Sequence, residues 1–300
     1  MVWPPGLEMS MRFAEIGQQL RAYRLESGLR AEEIAARLGV SRAALYRYEK
    51  GEVIKLDTVK RLGELLQVSP MSLLGIGIEY YSRPVGFFER LRQAEESAEQ
   101  ILQAYGAVFY LATSDAFDGA LADALAGAGS MPGQDAAAFR TGVDQVLGLL
   151  AARKRSFAQR RPGVIAILSP ARIEAFLQHG LLAGVALPDT LRARCRRVAA
   201  AEIDNIATLM ETEPMGLQFG LSTAGSTAGF SILRAGDRAT LAINPFRVDA
   251  LPTAQTGVAM ITGADEAVAA HQRVAEARWR DALRGPAAAA RLRALLAAAA

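Results

Sequence analysis

The chain has 300 residues, enough for two or three domains at roughly 100–200 residues each, and its 51% hydrophobic and 22% charged content excludes a disordered or fibrous protein. Lys and Arg number 34 against 31 Asp and Glu, a net +3 that does not by itself mark a nucleic-acid binder. One cysteine, Cys195, excludes a disulfide framework and a Cys-rich zinc site, and two histidines, His179 and His271, far apart in sequence, leave histidine-based metal chemistry and Ser or Cys triads almost nothing to work with.

The apolar stretches 106–112 and 164–168 fall short of the roughly 20 residues a membrane-spanning helix needs. Residues 1–8 carry no charged region leading into an apolar one, so a cytoplasmic chain with no membrane partner is expected. In chain order, helices are predicted over 13–27, 31–38, 42–50 and 56–66, with a short turn at 69–74. Ile16, Leu20, Tyr23 and Arg24 share helical spacing, as do Ile34, Ala35 and Leu38. A long amphipathic helix follows over 85–105, where Phe87, Phe88, Leu91, Ala94, Ala98, Ile101, Leu102 and Tyr105 recur every three or four positions.

The period then changes. A buried strand is predicted over 107–112, a helix over 116–125, a Gly/Pro loop over 127–135 and a helix over 139–157. Strand 164–168 and helices 171–179 and 191–211 follow, the last with Val198, Ile203, Ile206 and Leu209 inward. Strands over 216–221, 229–233 and 240–243 are joined by turns at 222–228 and 235–237. A strand over 258–261 and a helix over 265–283 lead to Pro286 and an Ala/Leu/Arg tail that is helical or frayed. The expected fold is an all-α N-terminal domain (12–78), a connector helix (79–105), an α+β (mixed α/β) domain (106–285) and an Ala-rich tail (286–300).

The informative stretch runs from Gly28 to Gly51. Two short helices meet at a tight turn containing Gly39, and Ser41 stands where it caps the second, which is the geometry of a helix-turn-helix. Ala35 is small enough for close helix approach, and Val40 and Leu45 fill the space between. The run Glu32-Glu33-Ile34-Ala35, the turn Leu38-Gly39-Val40-Ser41, the exit Tyr48-Glu49-Lys50-Gly51 and the fourth helix before Val68-Ser69-Pro70 resemble the Cro/repressor-type (XRE) helix-turn-helix family across 13–74.

That resemblance implies a transcription regulator that binds double-stranded DNA. It implies base contacts from Arg42, Ala43 and Arg47, with Tyr46 beside them: an Arg can bond guanine bidentately and the Ala43 methyl can meet a thymine methyl. Arg30, Ser41, Lys50 and Lys55 suit phosphate contacts, which set register without reading sequence. Arg24 and Glu49 stand where the family has a structural ion pair. One departure is Ala31, which occupies the place of a Gln that braces the DNA backbone.

The part from 79 to about 285 resembles the large companion half of long bacterial regulators of this family, through Gly77–Tyr81, Phe87–Leu91, Arg153-Lys154-Arg155, Pro214–Gln218 and Pro245-Phe246-Arg247. The resemblance implies sensing of a small-molecule or protein effector, or oligomerisation. A paired helix-turn-helix reads two half-sites about 34 Å apart, so a homodimer is expected. No nucleophile–base–orienter set is present, and neither enzyme activity nor a metal or cofactor is expected. Two alternatives are an antitoxin-like regulator whose partner docks on the 87–105 stripe, and an enzyme tethered by its DNA-binding domain. The Gly/Ser/Thr segment 220–229 reads as a hairpin connection. Arg153, Lys154, Arg155, Arg160 and Arg161 read as a solvated helix end or an anionic effector site. Cys195 lies among Arg192, Arg194, Arg196 and Arg197, which would favour its thiolate.

Overall fold

The structure is a computed structural model that describes residues 5–74, 77–128, 135–222, 229–246 and 257–299, with side chains from residue 14 onward. The predicted turn at 222–228 and the loop at 127–135 lie largely outside the described residues, as does Arg247.

The N-terminal part is helical: α1 (Pro5–Ser27), α2 (Ala31–Leu38), α3 (Arg42–Glu49), α4 (Leu56–Leu66) and α5 (Pro70–Leu73). Local signals explain these boundaries. The Glu33 carboxylate accepts the Arg30 N–H at 3.0 Å at the start of α2. Gly39, at φ 71°, ends α2 in the left-handed region where a Cβ is costly. Leu20, Tyr23, Ile34, Leu38, Leu45, Val59, Leu62 and Leu66 fill the space between the helices.

Among the described residues, seven strands form one mixed sheet in the order β1-β7-β6-β5-β2-β3-β4. They are β1 (Ile78–Tyr81), β2 (Gln100–Gly106), β3 (Gly163–Leu168), β4 (Leu217–Leu221), β5 (Phe230–Ala235), β6 (Arg238–Ile243) and β7 (Ala259–Thr262). Strands β2, β3 and β4 run parallel; the remaining pairings are antiparallel. The helices are α6 (Pro84–Ser97), α7 (Asp115–Gly127), α8 (Ala136–Arg160), α9 (Pro170–His179), α10 (Asp189–Thr212), α11 (Asp265–Asp281) and α12 (Gly285–Ala299). One face of the sheet presents Ile101, Val164, Ala166, Leu233 and Ala242 to the main core with α6 and α8. The other presents Ala104, Ile167, Ile232 and Leu241 towards α11.

Three expectations are corrected. The helix predicted over 85–105 ends at Ser97, and Gln100–Gly106 is the strand β2 in the sheet interior. A strand buried on both faces is apolar on both, so Ala98, Ile101, Leu102 and Tyr105 satisfy helical spacing by coincidence. The stripe is also interior: Phe87 and Phe88 are fully buried and Leu91, Ile101 and Tyr105 nearly so, so it is no free docking surface for a protein partner. The strand predicted over 107–112 is instead an irregular buried segment with a 3-10 turn at Tyr110–Ala112. The C-terminal tail, by contrast, is helical, one of its two expected forms: Ala288, Ala289, Leu292 and Leu295 of α12 are buried in packing that centres on α10.

The helical part is docked on the sheet part through α1. Tyr23 stacks on Tyr81 with ring centroids 5.3 Å apart. The Glu26 carboxylate accepts the backbone N–H of Ser82 at 2.6 Å and of Arg83 at 3.0 Å, at the start of α6. Beneath them Glu79 is buried, accepting from Gln19 Nε2 at 2.8 Å, Tyr81 Oη at 2.6 Å and Arg90 Nε at 2.9 Å.

Glu89, also on α6 and fully buried, accepts from Arg21 of α1 and from Arg92, at 2.8 and 2.9 Å. Burial raises its carboxyl, but the Arg92 and Arg21 guanidiniums outweigh that and hold it below the usual carboxylate range. A depressed folded value means stabilisation that is present above the unfolded value, about 4.3, and lost as pH falls through the folded one. Glu89→Gln is therefore expected to destabilise the protein at pH 7 and to lessen its loss of stability between pH 7 and pH 3. Urea midpoints at the two pH values check this, and equal drops in both proteins would refute it.

Candidate nucleic-acid interface

Helix α3 begins at Ser41, whose Oγ accepts the Ala44 N–H at 3.1 Å. That bond leaves the hydroxyl hydrogen available as a donor. The helix is two-sided. Ala44, Leu45 and Glu49 are buried, while Arg42, Ala43, Arg47 and Lys50 are exposed and Tyr46 is half-buried.

Its inner side is fixed by α1 and α2. Arg24 of α1 donates from Nε to Glu49 Oε1 at 2.5 Å and from Nη2 to Oε2 at 3.1 Å, a bidentate pair whose side chains are 13% and 4% exposed. A Cβ on Gly17 would lie 2.6 Å from the Tyr48 carbonyl oxygen, so α1 and the end of α3 approach closely only because residue 17 has no side chain. Val40 N–H donates to the Ala35 carbonyl at 3.0 Å and closes the turn into α3.

The outer side carries cations that already hold carboxylates. Arg42 meets Glu32 of α2 at 2.7 Å, packs 5.3 Å above the Tyr46 ring and donates to its hydroxyl. Arg47 meets Glu52 at 3.1 Å. All four of these charged side chains are more than half exposed, so solvent screens both pairs and they are weak competitors for another anion. The sequence marks Glu32 only as part of the motif and does not single out Glu52; the fold brings Glu32 of α2 to Arg42, while Glu52 lies just after α3, five residues from Arg47. Arg30 precedes α2, Lys50 follows α3 and Lys55 precedes α4, all three exposed on the surface of this helical unit. Ala31 is buried at the start of α2, so no side chain there reaches outward.

The features singled out in the sheet-bearing part turn mostly inward. Arg153 is buried against Glu95, and Lys154 donates to Asp118 Oδ2 at 2.6 Å and to the Thr113 carbonyl at 3.0 Å, so the basic run is not simply a solvated helix end. Arg155, Arg160 and Arg161 do face solvent. Cys195 is buried, and that burial raises its thiol above the ordinary value while the arginines flanking it point outward. His179 is exposed, and His271 Nδ1 lies 2.8 Å from the Ala267 carbonyl. Among the described residues no group of three or more His, Cys, Asp and Glu side chains is placed to hold a metal ion, and no helix is long and apolar enough to cross a membrane.

Comparison with known proteins bears on the helical unit. A curated protein of Pyrococcus horikoshii, provisionally named as an HTH-type transcriptional regulatory protein, is 44% identical over 62 residues, which are 19% of this chain and 20% of that protein. The match thus spans about a fifth of the relative's length. Among solved structures, TrmBL2, described as an archaeal chromatin protein with a novel mode of DNA binding, aligns over 88% of this chain and 92% of its own at 12% identity. Its TM-score of 0.31 is too low to mark a common fold. The family model described as a helix-turn-helix domain matches residues 15–73, the span of the Cro/repressor-type motifs and of most of α1 to α5. Residues 15–73 of this chain are a helix-turn-helix domain.

Proposed function

We propose that this protein is a sequence-specific transcription regulator that binds double-stranded DNA as a homodimer, with residues 12–78 as the DNA-binding unit and the sheet-bearing part as its sensing and dimerisation unit. The observation that carries the reading is the two-sidedness of α3. Its buried side is locked by the Arg24–Glu49 pair, while Arg42, Ala43, Arg47 and Lys50 stand free of the core. An α-helix with such a side fits the major groove, where Arg42 and Arg47 can read guanine edges and Ala43 a thymine methyl, beside Tyr46. Arg30, Ser41, Lys50 and Lys55 then hold phosphates and set the register. The chemistry is charge exchange: Arg42 and Arg47 give up the solvent-screened Glu32 and Glu52 for acceptors in the groove.

The test is fluorescence anisotropy with the promoter DNA beside the protein's own coding region and with random duplex. Arg42→Ala is expected to weaken binding to its operator roughly five- to a hundredfold and to relax the preference at one base pair per half-site. Equal loss on operator and random DNA would refute that role. Lys55→Ala is expected to weaken both duplexes alike and to flatten the salt slope by about one; a sequence-dependent effect would contradict a phosphate contact. Footprinting checks the dimer, which protects two half-sites about 34 Å apart.

A further inference from the structure

Helix α11 leaves part of its face of the sheet open. It packs on β6 and β3. Beside it, over the ends of β2, β3 and β5, lies a cleft of about 240 Å³, larger than the roughly 150 Å³ of an engineered apolar cavity that takes up benzene. Two cross-strand rows form its floor. Leu102 pairs with Ile232 of β5 and with Ile165 of β3, which makes an aliphatic strip about 10 Å long across three strands. Two residues back along β2, on the same face, Gln100 pairs with Arg234 of β5 and with Gly163 of β3. Leu102 and Ile165 are only half-buried, although β2 and β3 are interior strands.

The cleft carries one positive charge. Arg234 is half-buried, and its guanidinium makes one hydrogen bond among the described residues: Nη2 donates to the neutral Gln272 Oε1 at 3.3 Å. Nε and Nη1 are left without an acceptor there. Among the described residues no Asp or Glu lines the cleft. Glu276, which accepts from Gln272 Nε2 at 2.8 Å, is exposed and stands outside the lining. A partly dry guanidinium held only by a neutral acceptor gains a charge-assisted bond when it meets an anion. The Gln100 carboxamide stands beside it in register as a second donor. The aliphatic strip favours a ligand whose other end is apolar.

We propose that this cleft binds a small aliphatic monocarboxylate of about the size of hexanoate, its carboxylate on Arg234 and Gln100 and its chain along Leu102 and Ile165. The site stands without the regulator reading; that its ligand is the effector rests on that reading. The β5–β6 hairpin that carries Arg234 also carries Arg238, which pairs with Glu15 of α1 in the helix-turn-helix domain.

Calorimetric titration of the full chain with hexanoate, hexanamide and hexan-1-ol tests the site. Hexanoate is expected to bind at least roughly fivefold more tightly than the two neutral compounds. Equal binding of all three, or no binding of hexanoate at millimolar concentration, overturns the proposal. Arg234→Gln is expected to erase the preference for hexanoate, and a preference that survives also overturns the proposal. Gly163→Val fills the cleft from its floor. A Cβ there would lie 3.7 Å from the Glu99 carbonyl oxygen and 3.8 Å from Gln100 Cγ, both ordinary contacts. Valine also suits a strand better than glycine, so the variant is expected to fold. It is expected to abolish hexanoate binding. Undiminished binding has the same adverse meaning, as does a dimer that falls apart in this variant because a second copy of the chain had covered the strip. DNA titrations run with and without hexanoate keep the two readings apart. Hexanoate binding with unchanged DNA affinity supports the site and removes the effector role, whereas absent DNA binding removes the regulator reading and leaves the calorimetry to decide the site.

Discussion

Glu79→Ala is expected to destabilise the protein by about 3–5 kcal/mol, the cost of leaving a buried charge without its partner. Glu79 sits where three elements meet. It accepts from Gln19 on α1, from Tyr81 on its own strand and from Arg90 on α6, and it is 5% exposed. Alanine leaves the Arg90 guanidinium facing Tyr81 and Gln19, neither of which carries a balancing charge. Since whole domains are stable by only about 5–15 kcal/mol, this one change removes a large share. Urea unfolding followed by far-UV dichroism measures it. Glu79→Gln keeps one acceptor oxygen, sets an NH2 donor in place of the other and lacks the charge; its stability is expected to fall between those of the native chain and Glu79→Ala. Because Gln19 belongs to the helix-turn-helix domain and Arg90 to the helix it docks on, the variant is also expected to unfold in two steps where the native chain unfolds in one. A loss below about 1 kcal/mol would mean that water already screens the cluster.

Glu49→Ala is the second large effect, about 2–3 kcal/mol, nearer the low end of the range for breaking a buried pair because Arg24 retains some exposure. Its consequence differs from that of Glu79. Glu49 lies on the last turn of α3, so its loss releases the end of the helix that carries Arg42 and Arg47 from α1. Operator affinity is expected to fall by more than loss of folded protein explains, even at temperatures where the variant is fully folded. Arg24→Met with Glu49→Leu replaces charge by matched apolar volume and is expected to recover most of the stability. Thermal unfolding and anisotropy on the same samples separate the two effects. Glu49→Ala as stable as the native chain would remove the pair from the account.

Much of the helical unit was legible because its signals are local. Ser41 before α3, Gly39 in the left-handed region after α2 and the spacing of Ile34, Ala35 and Leu38 each act within a turn or two of the residue concerned. The sheet was legible in part. Strands β3 to β7 carry short apolar runs between turn residues, but β1 does not: its inward residues are Glu79 and Tyr81 and its outward ones Ile78 and Tyr80. A charged residue facing inward hides a strand from any reading based on hydrophobic alternation. The end of α6 was hidden for the opposite reason, since the two-sided apolar strand β2 continues the helical spacing of the stripe before it.

The buried polar contacts were outside the reach of the sequence. Arg153 looked like one member of a solvated basic run, and nothing near it in the chain shows that Glu95, 58 residues earlier, comes within hydrogen-bonding distance. Gln19 and Glu79 are likewise 60 residues apart. The amino-acid order alone determined where α2, α3 and α4 start and stop, because caps, left-handed glycines and helical periodicity are interactions among near neighbours; α1 by contrast begins at Pro5, eight residues before the expected 13. Only the tertiary structure decided which charges are buried and how α1 carries the helix-turn-helix domain on the sheet. Burying an ion requires a partner at contact distance, and which distant residue supplies it is set by packing rather than by position along the chain.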